Sequence, residues 1–301
     1  MLISDPLASP LLPPLGFTLA GLLSSSFVAL LLTAHGEWQR LRRSTLFVRW
    51  RTWLVIAPLF TLVVLSGPLP LAVFASGLAI QGAYEYAALA SLTRVDRAVL
   101  LGACILLPGM CVFVPVSPGL LVAVPLVASL PALLAQDTEH GLTRLTRLAF
   151  SVFYLPVSLA LLVVLDRTPK AGPGLVLSIA LAVALSDVGA FTVGRLFGRR
   201  RLAPGLSPSK TWAGFLGNLA GAALGLLLLN SLVRPTISLP LASVVVAGGA
   251  AWGDLLESLL KRSASVKDSG AWLPGFGGLL DRLDSLLVVS PLVYLLVEVG
   301  A

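Results

Sequence analysis

Ten apolar runs, the shortest of 14 residues and the longest of 24, follow one another along this 301-residue chain with only short charged or Pro/Gly-bearing connections. They cover residues 11–33, 53–66, 69–92, 98–116, 119–135, 148–165, 174–194, 212–233, 239–256 and 285–299. Nothing constrains the fold more. A run of about 20 apolar residues matches the hydrocarbon thickness of a bilayer. In lipid, a backbone without water must satisfy its own N–H and C=O groups, which a helix does. The expected fold is therefore all-α: a polytopic integral membrane protein of about ten transmembrane helices. Composition agrees, with 57% hydrophobic and 12% charged residues, against about 25% charged in soluble domains. Residues 1–10 lack a basic n-region, so the first run is expected to be a retained helix rather than a cleaved signal.

If all ten runs cross, the connections alternate sides and the Lys and Arg residues can be divided between them. Eighteen of the 21 fall on one side, and only Arg167, Lys170 and Arg234 on the other. Positive charge collects in cytoplasmic loops, so both termini are expected outside the cytoplasm and the basic loops within it. The net charge of +7 is then topogenic or polyphosphate-directed. No basic stretch interleaved with aromatics forms a soluble module, so nucleic acid is not an expected partner. Trp38, Trp50, Trp53, Trp212 and Trp252 lie near run ends on the basic side and read as interfacial anchors. Cys104 and Cys111 are seven residues apart in one run, roughly 10 Å along a helix and too far for a disulfide. His35 and His140 are too few for a zinc centre.

Acidic residues are few, and in a membrane they are expensive and usually functional. Most lie in connections. Glu85, in the third run, reads first as a hydrogen-bonded structural group. Asp187, Asp254, Glu257, Asp281 and Asp284 remain, with Asp268 between the last two pairs. Asp254 with Glu257, and Asp281 with Asp284, are spaced i, i+3, which puts each pair on one helix face where the charges repel. Ion pairing would relieve this, since Lys261 lies four residues beyond Glu257 and Arg282 adjoins Asp281. A divalent cation is the stronger expectation, and Mg²⁺ suits an incomplete cage because it takes one or two carboxylates plus water and phosphate oxygens.

Between the acid pairs, Gly275, Gly277 and Gly278 allow close backbone approach to an anion, just where a helix begins. A second cluster joins Asp187 and Arg195 through Arg199, Arg200 and Arg201 to Ser207-Pro208-Ser209-Lys210-Thr211. It reads as another phosphate-gripping segment. It is not a P-loop: the spacing is one short, no glycine precedes Lys210 and no strand is expected before it. The chain changes character near residue 135, and we divide it into an N-terminal transmembrane region, 1–135, and a C-terminal transmembrane catalytic region, 136–301.

These motifs resemble the phosphatidate cytidylyltransferase (CDP-diacylglycerol synthase) family of integral membrane enzymes. Ser258 to Asp284 follows that family's S-x-x-K-R-x(4)-K-D-x(4)-hydrophobic-P-G-H-G-G-x-x-D-R-x-D signature, with Phe276 at the histidine. Gly253-Asp254-Leu255-Leu256-Glu257-Ser258, Asp187 to Gly198, and Ser207 to Trp212 match its other elements. The resemblance implies cytidylyl transfer from CTP to phosphatidate in the leaflet, giving CDP-diacylglycerol and pyrophosphate. It implies Mg²⁺ held by Asp254, Asp281 and Asp284, with Asp187, Glu257 and Lys267 completing the catalytic set. Phosphate contacts are implied for Lys210, Ser207, Arg195, Lys261, Arg262, Lys267 and the backbone at Gly277 and Gly278. The expected location is the inner membrane, active site toward the cytoplasm, with a homodimer left open. Phe276, Ala213 and Ser209 depart from the family's usual residues, and a phenyl ring cannot donate to phosphate or carry a proton. A divergent or inactive paralogue that binds lipid, or a transporter, are the alternatives.

Overall fold

The computed structural model describes residues 2–33, 44–114, 118–168, 172–229, 238–266, 269–270, 272 and 277–299. Among them are ten helices, one at each apolar run: α1 Leu12–Thr33, α2 Thr45–Leu65, α3 Pro68–Leu89, α4 Arg94–Phe113, α5 Pro118–Leu134, α6 Gly141–Asp166, α7 Gly172–Phe197, α8 Trp212–Leu228, α9 Leu239–Ser263 and α10 Leu280–Val299. Six of these, α1, α2, α4, α6, α7 and α9, are long and apolar enough to cross a membrane. That describes a multi-pass membrane protein, with six of the ten expected spans meeting this length and hydropathy among the described residues. The physical reason is length, charge and polarity: α5 and α8 have 17 residues each, α10 carries Asp281, Arg282 and Asp284 in its first turns, and α3 is interrupted by Gln81, Tyr84 and Glu85.

The all-α expectation needs one addition. Strands β1 (Arg201–Ala203) and β2 (Ser207–Thr211) pair antiparallel between α7 and α8, with Arg201 opposite Thr211 and Ala203 opposite Ser207. A strand does precede Lys210, but as half of a hairpin and not of a nucleotide-binding βαβ unit.

Helices start where the sequence supplies caps. The Ser44 hydroxyl accepts from Phe47 N–H at 3.1 Å, and Thr211 from Gly214 N–H at 3.0 Å. Thr93 accepts from Asp96 N–H and donates back to the Asp96 carboxylate, closing a local box at the head of α4. Arg144 of α6 forks onto that carboxylate at 3.1 and 3.2 Å and also reaches Asp137 at 3.6 Å. Asp137, in the turn before α6, accepts from the His140 N–H, and this bond and the Arg144 charge hold its carboxyl below the usual range.

Lipid gives apolar helices little reason to associate, so close packing must come from small residues. The α7–α8 pair shows this: Gly217, Gly221 and Gly225 lie so near Gly189, Leu185 and Ala182 that a Cβ on any of the three would strike facing backbone. On the α9–α10 seam, Gly253 abuts the Asp284 carbonyl and Gly249 meets Val289. α6 is the most buried of the six candidate spans. It is regular except for a π-turn at Phe153–Val157, where Pro156 lacks the N–H an α-turn needs. Cys104 and Cys111 are free, buried packing thiols.

Candidate active site

The Gly253 contact brings the polar ends of α9 and α10 together, so both i, i+3 acid pairs share one cluster. Its inner part is an ion-pair bridge: Lys261 Nζ lies 2.5 Å from Glu257 Oε1 and 2.9 Å from Asp281 Oδ1. Asp281 Oδ2 accepts from Gly278 N–H at 2.8 Å and Ser269 N–H at 3.2 Å. Asp281 therefore ties the incoming loop to α10, and Lys261 is engaged by two carboxylates.

The outer part is less satisfied. Asp284 is buried, and its carboxylate comes within hydrogen-bonding range of Asp254. Its own neighbour, Ser285 N–H, donates to it at 2.8 Å. Asp187 of α7, left uncovered by protein, lies in electrostatic range of Asp254, Lys210 and Arg282. Lys210, carried on β2, pairs with Asp254 at 2.5 Å. Two carboxylates this close repel unless a cation or a proton stands between them. Among the described residues no three His, Cys, Asp or Glu side chains form a group that could hold a metal ion.

The head of α10 is where the expected anion seat lies, and the chain fills that seat itself. Glu85 of α3 accepts from Leu279 N–H at 2.9 Å and Leu280 N–H at 2.8 Å, with the Ser269 hydroxyl at 3.2 Å and the Gln81 amide at 3.2 Å. A carboxylate here satisfies orphan helix donors and the positive end of the dipole. Gly278 is crowded by this arrangement, since a Cβ there would meet Ser269 Oγ and Glu85 Oε2. Gly277 has φ +85°, a turn that favours glycine. Both glycines therefore serve loop closure, beside the phosphate approach that the sequence suggests for their backbone.

Of the other expected site residues, Ser207 begins β2, the strand that also carries Lys210. Arg195 is exposed at the end of α7, its guanidinium 6.0 Å from the Phe191 ring centroid, and Arg262 is exposed on the last turn of α9. Ser209 is exposed on β2, and Ala213 lies in the first turn of α8. Lys267, Asp268, Gly275 and Phe276 lie outside the described residues. Glu85 is the hydrogen-bonded structural group its sequence position suggested, while sequence reasoning passed over its partner Ser269. The available signal for Glu85 was an acid deep in a run that otherwise carries no charge.

Comparison with known proteins fits this arrangement. The chain is 43% identical over 122 residues to a phosphatidate cytidylyltransferase of Mycobacterium leprae, covering 40% of this chain and 39% of that protein. It is 38% identical over 149 residues to a phosphatidate cytidylyltransferase of Brucella suis, covering 49% and 55%. The chain thus matches about 40 to 55% of the length of these relatives. A family model described as "Cytidylyltransferase family" matches residues 47–299, which takes in every helix from α3 to α10 and the whole carboxylate cluster; the chain belongs to the cytidylyltransferase family.

Proposed function

We propose that this protein transfers the cytidylyl group of CTP to phosphatidate, forming CDP-diacylglycerol and releasing pyrophosphate. The observation that carries the reading is the pair Asp254 and Asp284, in hydrogen-bonding range of each other with Lys210 and Asp187 alongside. Such a mixture of acids and bases suits a cation-bound polyphosphate. Family membership supplies the cytidylyl group, and the names of the partial relatives supply the acceptor.

In this reading a phosphate oxygen of phosphatidate attacks the α-phosphorus of CTP. One P–O bond forms, the bond to the β-phosphate breaks, and its electron pair leaves with pyrophosphate. The attacking oxygen is already anionic near neutral pH, so no side-chain base is required. What remains is alignment and neutralisation of charge. Lys210 and Arg282 offset phosphate charge, and Asp187 and Asp254 orient Lys210. The Lys261 bridge and the Glu85 cap fix α9 against α10, so that Asp254 and Asp284 keep their spacing.

The donor set fits Mg²⁺: hard carboxylate oxygens, two in close approach, with no third side chain among the described residues grouped to complete a cage. That ion completes its shell with water and phosphate oxygens. Asp254 and Asp284 would hold it, and when bound it supplies charge neutralisation to the reacting phosphates. Asp281, engaged by Lys261 and two backbone N–H groups, is better suited to organising the loop. We further propose that these helix ends face the cytoplasm, where CTP resides, a reading supported by the division of positive charge that follows when all ten helices cross.

The test is incubation of the purified protein with labelled CTP, phosphatidate and Mg²⁺, followed by organic extraction. A lipid-soluble cytidine product is expected, lost in Asp284→Asn and Asp254→Asn and on chelation. A wild-type protein that yields no such product with any divalent cation overturns the proposal.

A further inference from the structure

The π-turn of α6 carries one more buried polar group within electrostatic range of the carboxylates. Tyr154 is only 4% exposed, and its hydroxyl has no hydrogen-bond partner among the described residues. It stands in electrostatic range of Asp284, Glu257, Asp254 and Asp281. Each of these is an acceptor, yet none takes the hydroxyl's hydrogen. Buried hydroxyls are nearly always bonded, so an orphan beside a functional cluster calls for a ligand to complete it.

The ring is held firmly enough for such a task. It stacks on Phe150 with centroids 5.2 Å apart, and Phe150 in turn packs against Tyr86 at 6.1 Å. At the far end of this ladder the Tyr86 hydroxyl donates to the Arg147 carbonyl at 3.1 Å. Of the two hydroxyls on this ladder, only that of Tyr154 lacks a partner among the described residues. The π-turn itself is stabilised by the Ser158 hydroxyl, which donates to the Phe153 carbonyl at 3.0 Å. Helix irregularities of this kind frequently occur at functional sites.

We propose that Tyr154 is a substrate-binding residue whose hydroxyl donates a hydrogen bond to a phosphate oxygen seated in front of Asp254 and Asp284. A neutral donor suits this position: it contributes a bond to an anion without adding a further ion to be desolvated. The identity of the phosphate, lipid monoester or nucleotide, rests on the cytidylyl-transfer reading; its chemistry does not.

Tyr154→Phe removes the hydroxyl and keeps the stack. Kinetics with CTP and phosphatidate in detergent should show kcat/KM lower by about 10- to 100-fold, the loss expected for one hydrogen bond to a charged group. A rise in KM confined to phosphatidate assigns the bond to the lipid phosphate, and one confined to CTP assigns it to the nucleotide. A fall in kcat alone assigns it to the phosphoryl group in transfer. Tyr86→Phe makes the same chemical change where the hydroxyl is already satisfied by protein, and should leave both KM values unchanged. If Tyr154→Phe equals wild type in kcat and both KM values, the inference is overturned while the proposed reaction stands. If the wild type has no transferase activity, titration with Mg²⁺ and the α,β-methylene analogue of CTP, and separately with pyrophosphate, decides. Weaker binding by Tyr154→Phe upholds the inference; equal binding, or none by the wild type, overturns it.

Discussion

Glu85→Gln tests whether a carboxylate from α3 holds the catalytic loop in place. In the structure both carboxylate oxygens accept a backbone N–H from the head of α10 and one also takes the Ser269 hydroxyl. Glutamine keeps the shape but offers one acceptor oxygen, so one buried N–H faces an amide NH₂. Losing a charge-assisted bond costs about 1.5–3 kcal/mol, and losing the negative charge at a helix N-terminus costs about 0.3–1 kcal/mol more. The glutamine variant should therefore be destabilised by about 2–4 kcal/mol, and Glu85→Ala, which strands both N–H groups, by more. In detergent this corresponds to a fall of roughly 3–6 °C in the unfolding temperature for the glutamine variant. Cytidylyl transfer should fall with it, because Asp281 and Asp284 lie in the first two turns of the same helix. Gln81→Ala, which removes a single 3.2 Å contact to Glu85, is the control and should be nearly silent. A Glu85→Gln protein that unfolds within about 1 °C of wild type would refute the cap, since the bonds are too many to lose at no cost.

Lys261→Met should leave Glu257 and Asp281 facing each other without their shared cation, destabilising the protein by on the order of 3 kcal/mol; chemical denaturation in detergent reads this, and an unchanged midpoint would dismiss the bridge. Gly253→Ala drives a methyl into the Asp284 carbonyl and should cost about 1–3 kcal/mol in the same assay, with transfer reduced as the acid pairs separate. Cysteine substituted at exposed Arg200 should resist a membrane-impermeant maleimide until the cells are opened, whereas Arg167→Cys should react at once; the native thiols are buried and should not interfere. Labelling of Arg200→Cys in intact cells would reverse the orientation. Phe276→His should change kcat by no more than roughly 10²- to 10⁴-fold, the range of one acid/base or hydrogen-bonding group. No product from wild type but robust product from a chain with Phe276→His, Ala213→Glu and Ser209→Lys together would favour a silent paralogue.

Apolar periodicity located every helix described, and it erred at the ends for a consistent reason. α2 begins at Thr45 rather than residue 53 because Arg49 and Arg51 are helical, and α6 begins at Gly141 rather than 148 because its first turns carry Arg144 and Arg147. α9 runs on through Glu257 and Lys261 to Ser263. In each case the polar end of a helix was read as a connection, and in α9 that end holds acids of the candidate site. The i, i+3 spacing of the acids was legible because it is local. The partnership of Glu85 with Leu279 and Leu280 spans nearly 200 positions, and no local pattern encodes it. The β1–β2 hairpin escaped because its arginines read as topogenic charge, and Tyr154 because an aromatic in an apolar run looks like packing.

The π-turn in α6 also limits how the gene can change. Each residue of an α-helix adds about 100° of rotation and 1.5 Å of rise, and the turn at Phe153–Val157 accommodates one residue beyond that regular count. The segment before it points Arg144 at Asp96, while the segment after it, Ser158–Asp166, is buried along nearly its whole length. Removing a single codon there would straighten the helix and swing one half by about a quarter-turn against the other. Either Arg144 would leave Asp96 or Tyr154 would leave the carboxylates. Insertions and deletions in descendants of this sequence should therefore collect in the connections and spare this stretch, even though it lies about 100 positions before the last signature motif in the sequence.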